Sequence, residues 1–203
     1  MSKTLIEKSR IPVSRVFVAV FVFFALFSES KWEEVIPFVS TVLFFCGIAL
    51  VGVASLGRLW CSLYIAGKKT KFLITEGPYS VSRNPLYFFS FLGAIGVGLS
   101  NESFTFALLA LFAFLLYYPM VMREESNRLK EVHGADYKEY ADSVPYFWPN
   151  WRLLKEPDFY EVNTKVFRKH IFSALWFIWI VGFLELIESF HELGVLPIWF
   201  KLW

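Results

Sequence analysis

Residues 103–122 run for the length of a bilayer crossing without one Lys, Arg, Asp or Glu. A second stretch, 35–57, is equally free of charge. About 20 consecutive apolar residues cross the hydrocarbon core of a membrane. Such blocks cannot fold as the half-buried faces of a soluble domain, so the bilayer is the solvent that this chain is built for. Composition agrees: 56% of the 203 residues are hydrophobic and 20% are aromatic. A formal net charge of +2 gives no support to a nucleic-acid partner. The two cysteines, Cys46 and Cys61, have no metal-ligand spacing and read as small buried thiols, so no metal is expected.

Five blocks qualify as spans, at about 11–28, 35–58, 85–100, 103–122 and 171–187. The second has room to continue as a helix to Ile65. The first carries bulky Phe21, Phe23, Phe24 and Phe27 and no small-x-small site, so it reads as a span and not as a cleaved leader. The expected fold class is therefore all-α: one polytopic membrane domain over 1–203, with a helical and irregular cytoplasmic segment at 123–170.

Lys and Arg set the orientation. Lys3, Lys8, Arg10 and Arg15 precede or open the first span. Arg58, Lys68, Lys69, Lys71 and Arg83 lie between the second and third, and nine more cations fall within 123–170. The intervening turns carry only Lys31, and the tail only Lys201. Five spans with a cytoplasmic N-terminus put nearly every cation on one side and the C-terminus on the other. The expected location is a bacterial inner membrane or a eukaryotic endomembrane.

Polar residues gather at two cytoplasmic places. One is Thr75 to Tyr87, where Gly77-Pro78 signals a turn, Asn84 can cap the third span and Pro85 suits a first helical turn. The other is Arg123-Glu124-Glu125 at the end of the fourth span. Asn101-Glu102 is the whole polar turn between spans three and four, so the two form a tight hairpin and the two polar places can meet. Gly93, Gly96 and Gly98 lie inside the third span and suggest close helix packing, not a nucleotide-binding loop.

Gly77-Pro78-Tyr79, Arg83-Asn84-Pro85-Leu86-Tyr87, Glu124-Glu125 and Gly134-x-x-Tyr137-x-x-Tyr140-x-x-x-Val144-Pro145 occur in that order. Over roughly Tyr64 to Pro149 the chain resembles the isoprenylcysteine carboxyl methyltransferases and phospholipid methyltransferases, a group of integral membrane enzymes. The resemblance implies S-adenosylmethionine as cofactor and a lipophilic or lipid-linked acceptor. It places cofactor contacts at Lys71, Phe72, Leu73, Ile74 and Tyr79, then at Asn84, Pro85, Leu86 and Tyr87, and at Glu125. Arg83, Asn84 and Glu125 are the implied catalytic set. Two departures narrow it. Asn84 stands where the group commonly has His, which removes a titratable group. Val121 stands where isoprenylcysteine enzymes have a substrate-binding arginine. Arg123 does not replace it, because two residues turn a helix by about 200°. A carboxylate acceptor is thus not supported.

Other residues carry simpler readings. Glu124 precedes Arg128 by one turn and suits a surface pair. Tyr137 and Tyr140 suit packing of the cytoplasmic segment, and His133 suits a helix end before Gly134. Glu185 and Glu188 lie within the fifth span, where ionisable groups are functional suspects, yet near its outer end, where water is close. Two competing functions fit a similar pattern: an NADPH-dependent membrane reductase of the sterol type, and a non-catalytic scaffold. The Glu pair followed by Gly134-x-x-Tyr137 favours methyl transfer.

Overall fold

The computed structural model describes Val16 and residues 19–68 and 72–203. Residues 19–27 are helical, while most of the earlier part of the first predicted span lies outside the described residues. A strand β1 (Ser28–Ser30) leads into a short helix α1 (Lys31–Val35) and then α2 (Pro37–Ile65). A one-turn helix α3 (Pro78–Val81), α4 (Pro85–Ser100) and α5 (Phe104–Ser143) follow. After a 3₁₀ turn at Trp151–Leu153 come α6 (Thr164–Ala174), α7 (Trp176–Glu192) and a strand β2 (Phe200–Leu202).

The protein is all-α in class. Three stretches, Pro37–Ile65, Phe104–Ser143 and Thr164–Glu192, are long and apolar enough to cross a membrane, and Pro85–Ser100 is a shorter apolar helix. Phe38, Val42 and Phe45 on α2, and Leu108, Phe112, Leu115 and Leu116 on α5, are exposed at helical spacing. Such stripes are the lipid-facing surface of a membrane helix, whose backbone groups are already paired within it. As expected, α2 continues to Ile65. Helix α5 runs past its predicted end at 122, because Arg123, Glu124, Glu125, Arg128 and Lys130 are good helix formers that leave the bilayer without leaving the helix. It breaks at Gly134, whose φ of 53° lies where only glycine is comfortable.

The chain forms two compact units. One comprises residues 1–52, 93–121 and 177–203. Its core gathers Ala25, Val51, Val97, Phe106, Val181, Leu184 and Ile187. Gly96 lets two backbones touch there: a Cβ on it would meet the Gly47 carbonyl oxygen at 2.9 Å, so the small residues of the third span do serve packing. Strands β1 and β2 pair in parallel, Ser28 opposite Phe200 and Ser30 opposite Leu202, a pairing that the sequence did not announce. The Trp203 carbonyl accepts from the Thr105 amide (2.7 Å), the Ser103 hydroxyl (2.7 Å) and the Thr105 hydroxyl (2.8 Å), which satisfies orphan donors at the start of α5.

The other unit comprises residues 53–92 and 122–176 and contains the predicted polar motifs. Trp60 stacks on Trp151 with ring centroids 6.1 Å apart, and Phe88 and Phe91 pack edge-on against Phe147. The proline-rich segment after α5 is thereby held by aromatic contacts, each worth about 0.5–1.5 kcal/mol beyond the area it buries.

Candidate active site

The loop before α4 is built by one turn. Glu76 accepts from the Tyr79 amide, and Gly77 between them has φ 57° and ψ −130°. These are the dihedrals of the first central residue of a type II′ turn, which glycine adopts without strain. Pro78 fits the second central position. A side chain on Gly77 would also collide with Tyr64, since its Cβ would fall 2.2 Å from the ring. The Tyr64 carbonyl in turn accepts from the Tyr160 hydroxyl at 2.8 Å.

From Gly77 to Asn84 the loop is laced to residues 145–155. The Gly77 amide donates to the Lys155 carbonyl (2.7 Å), and the Lys155 amide to the Ser80 hydroxyl (2.9 Å). Asn150 donates its amide to the Val81 carbonyl, and Ser82 its hydroxyl to the Phe147 carbonyl, both at 2.9 Å. The Arg83 amide reaches the Pro145 carbonyl, and the Asn84 side chain the Tyr146 carbonyl, both at 2.8 Å. Tyr140 adds a bond from its hydroxyl to the Tyr79 carbonyl at 2.7 Å. Each contributes roughly 1 kcal/mol net, and together they fix the loop's shape.

Asn84 immediately precedes α4, its carbonyl accepting from the Phe88 amide at 3.0 Å. Its side chain is turned to Tyr146 instead of to the helix amides, so the amide that was a candidate cap works as a tether. Pro85 is the first residue of α4, as its fixed φ suits. One turn on, Tyr87 donates its hydroxyl to Glu125 Oε2 at 2.8 Å. This bond joins the two motifs that lie 38 residues apart. Tyr79 belongs to the same group. Its hydroxyl pKa is pushed well above the ordinary phenol value by burial first, then by Cys61, Glu125, Tyr140 and Tyr87. Burial likewise pushes Tyr140 up.

Arg83 lays its guanidinium over the Tyr146 ring, 5.1 Å from the centroid, and its buried Nε has no hydrogen-bond partner. Leu86 is half-buried, as are Leu73 and Ile74, while Phe72 is exposed. Lys71 lies outside the described residues. Arg123 is exposed whereas Glu125 is half-buried, in line with the opposite helical faces expected for them. Tyr137 and Tyr140 are buried packing residues, and Tyr140 is also a clamp on the Tyr79 backbone. Sequence reasoning missed Tyr64, Tyr160, Ser80 and Ser82. No local pattern marks them, because their partners lie 96, 75 and 65 residues away.

The sequence profile described as phospholipid methyltransferase matches residues 35–136, a range that holds the turn, the start of α4 and Glu125. The cobalt-zinc-cadmium resistance protein CzcN of Cupriavidus metallidurans is 36% identical over 191 residues, 94% of this chain and 87% of that one. The chain belongs to the phospholipid methyltransferase family. A second family relative, the nickel-cobalt-cadmium resistance protein NccN of Alcaligenes xylosoxydans xylosoxydans, is 33% identical over 194 residues, 96% of this chain and 90% of that one. No solved structure matches. Membership of a family of membrane methyltransferases agrees with the spanning helices and with the resemblance that the motifs carried.

Proposed function

We propose that the protein transfers a methyl group from S-adenosylmethionine to a lipophilic or lipid-linked acceptor at the cytoplasmic face of the membrane. The hydrogen bond from Tyr87 to Glu125 is the observation that carries this reading, because it unites the two family motifs in one place. When bound, the cofactor supplies a methyl group on a cationic sulfonium. The residues present suit such a group. Tyr79 and Tyr87 offer aromatic faces, which attract cations. Glu125 offers a carboxylate for hydroxyl or amino donors. The partnerless Nε of Arg83 is a buried donor suited to an anionic end. Asn84 is committed to Tyr146, so its part is to hold the loop in shape.

Methyl transfer asks for alignment more than for an acid-base pair. The lacing of residues 77–84 to 145–155 supplies rigidity of that kind. A neutral phenol at Tyr79, favoured by burial, keeps further negative charge away from Glu125. Valine at position 121 and the exposure of Arg123 argue for an acceptor other than a carboxylate. Both relatives are named for resistance to cobalt and cadmium, and we carry that setting across: the methylated product serves tolerance of such ions.

The test is calorimetric titration of the protein in lipid nanodiscs with S-adenosylmethionine and with its demethylated product. One saturable site per chain is expected, weakened about 10- to 100-fold by Glu125→Ala. Binding of NADPH in place of both compounds would transfer the site to the reductase class. For the setting, a strain lacking the gene should regain cobalt tolerance with the wild-type copy and not with Glu125→Ala.

A further inference from the structure

Three acidic residues from three separate elements meet in the first unit. Glu33 comes from α1, Glu102 from the turn between α4 and α5, and Glu188 from α7. One carboxylate oxygen of each lies within 4.8 Å of the others. Two ligands of one ion lie at most twice the bond length apart, about 4–5 Å for metal–oxygen bonds of about 2.0–2.6 Å. The spacing is therefore that of a shared cation. Glu29 and Glu192 line the same cavity of about 40 Å³. No Lys or Arg is among its lining residues. The cations nearest in sequence are engaged: Lys31 sits over the Trp203 ring at 3.9 Å, and Lys201 pairs with Glu34.

Carboxylates alone do not make a site, but Ser28 points to a ligand independently. Ser28 is among the residues that line the cavity, it is 4% exposed, and its buried hydroxyl has no hydrogen-bond partner. Residues i and i+2 of a strand share a face. Ser30, two along β1, donates its hydroxyl to the Glu102 carbonyl at 2.8 Å, so the face that carries Ser28 is turned to Glu102. A buried hydroxyl left unpaired costs about 1–3 kcal/mol unless something fills its lone pairs. His191 lines the cavity too, with Nε2 3.0 Å from the Leu26 carbonyl. A carbonyl only accepts, so Nε2 carries the hydrogen and Nδ1 of the neutral ring keeps its lone pair. Imidazoles that bind metals are commonly anchored in this way.

We propose that Glu33, Glu102 and Glu188, with Ser28, bind a divalent cation. This reverses the sequence expectation of no metal, which rested on the cysteines. Hard oxygen donors suit Mn²⁺, Mg²⁺ or Ca²⁺, and the His191 ring lies outside the group of three carboxylates itself. The site does not rest on the methyl-transfer reading and uses none of its residues. By the distribution of Lys and Arg it faces away from the cytoplasm, because it includes the turn at 101–102.

The experiment is a titration of the full chain in nanodiscs with Mn²⁺, in which binding removes the electron paramagnetic resonance signal of the free ion. One Mn²⁺ per chain is expected. Glu102→Gln and Glu188→Gln should each weaken it at least about tenfold, and the exposed acid Glu131, outside the cluster, should tolerate Glu131→Gln without effect. Competition by Mg²⁺, Ca²⁺ and Co²⁺ then ranks the ion class. Glu33 is exposed, so Glu33→Gln folds even if the others do not. It should raise the melting temperature of the metal-free protein by removing like-charge repulsion, and abolish the rise that Mn²⁺ produces in the wild type. The proposal is overturned if the wild type takes up no Mn²⁺, or if Glu33→Gln binds it as tightly and is stabilised by it as much as the wild type.

Discussion

Tyr87 and Glu125 are joined by a 2.8 Å hydrogen bond from the phenol to the carboxylate. Each residue alone has an ordinary interpretation, as an interfacial aromatic and as a helix-end acid. Their contact makes them one unit that positions a carboxylate at the start of α4. Tyr87→Phe removes the donor and leaves the ring, so cofactor affinity should fall by about two- to tenfold, the net worth of one hydrogen bond. Glu125→Ala should cost about 10- to 100-fold. The double variant should resemble Glu125→Ala alone, because both changes disable the same contact. Calorimetry on the four proteins gives the cycle, and additive losses would separate the two roles.

Gly77 is the most constrained point of the loop. Gly77→Ala sets a methyl group into the Tyr64 ring and forces φ 57° on an L-residue. The combined clash and strain should destabilise the protein by more than about 2 kcal/mol. Size-exclusion profiles and thermal unfolding in detergent should show a folded but weaker protein, or loss of yield. A fully stable Gly77→Ala would mean that the turn and Tyr64 are free to part. Gly194 makes the control. It also has positive φ, but a Cβ there meets nothing within 4 Å, so Gly194→Ala incurs strain without collision and should cost less.

Local signals account for what was legible. Pro85 marks the start of α4, Gly77-Pro78 marks the turn and Gly96 marks a close helix approach, and each follows from the residue's own stereochemistry. The Tyr87–Glu125 meeting followed from the short turn at 101–102, which makes α4 and α5 neighbours in sequence and so in the fold. What stayed hidden is non-local or continuous. The end of α5 was hidden because charge reports where a bilayer ends, not where a helix ends. The pairing of Ser28–Ser30 with Phe200–Leu202, the lacing of 77–84 to 145–155 and the meeting of Glu33, Glu102 and Glu188 join residues whose neighbourhoods carry no shared pattern. Lys71, in the implied cofactor set, lies outside the described residues.

Tyr140 links stability to alkaline pH. Its hydroxyl donates to the Tyr79 carbonyl, and burial raises its pKa, as it does that of Tyr79. Raised folded values mean that the folded state holds protons which the unfolded chain releases near pH 10. Stability is therefore complete below about pH 10 and falls as pH rises above it, through the raised values. Tyr140→Phe should lower stability by about 1 kcal/mol at neutral pH through the lost hydrogen bond. It should also flatten the alkaline decline, since one of the contributing groups is gone. Unfolding midpoints from pH 8 to 12 measure both effects. Equal slopes in the two proteins would show that Tyr140 is not the titrating group.

Asn84 separates positioning from chemistry. Its side-chain amide donates to the Tyr146 carbonyl and so ties the start of α4 to the aromatic segment that Arg83 also touches. Asn84→Asp removes that donor and sets a carboxylate against a carbonyl in a buried place, so it should lower cofactor affinity about tenfold or more and destabilise the protein. Asn84→His restores an N–H donor at a similar reach, and His is the residue common at this place among the enzymes that the motifs resemble. If Asn84 is a positioning residue, Asn84→His should retain affinity and turnover with an unchanged pH profile between 6 and 9. If a proton acceptor is required there, Asn84→His should instead raise turnover and add an inflection near the imidazole pKa of about 6.5. The pH profile of methyl transfer therefore decides whether this position tethers the loop or takes part in the chemistry.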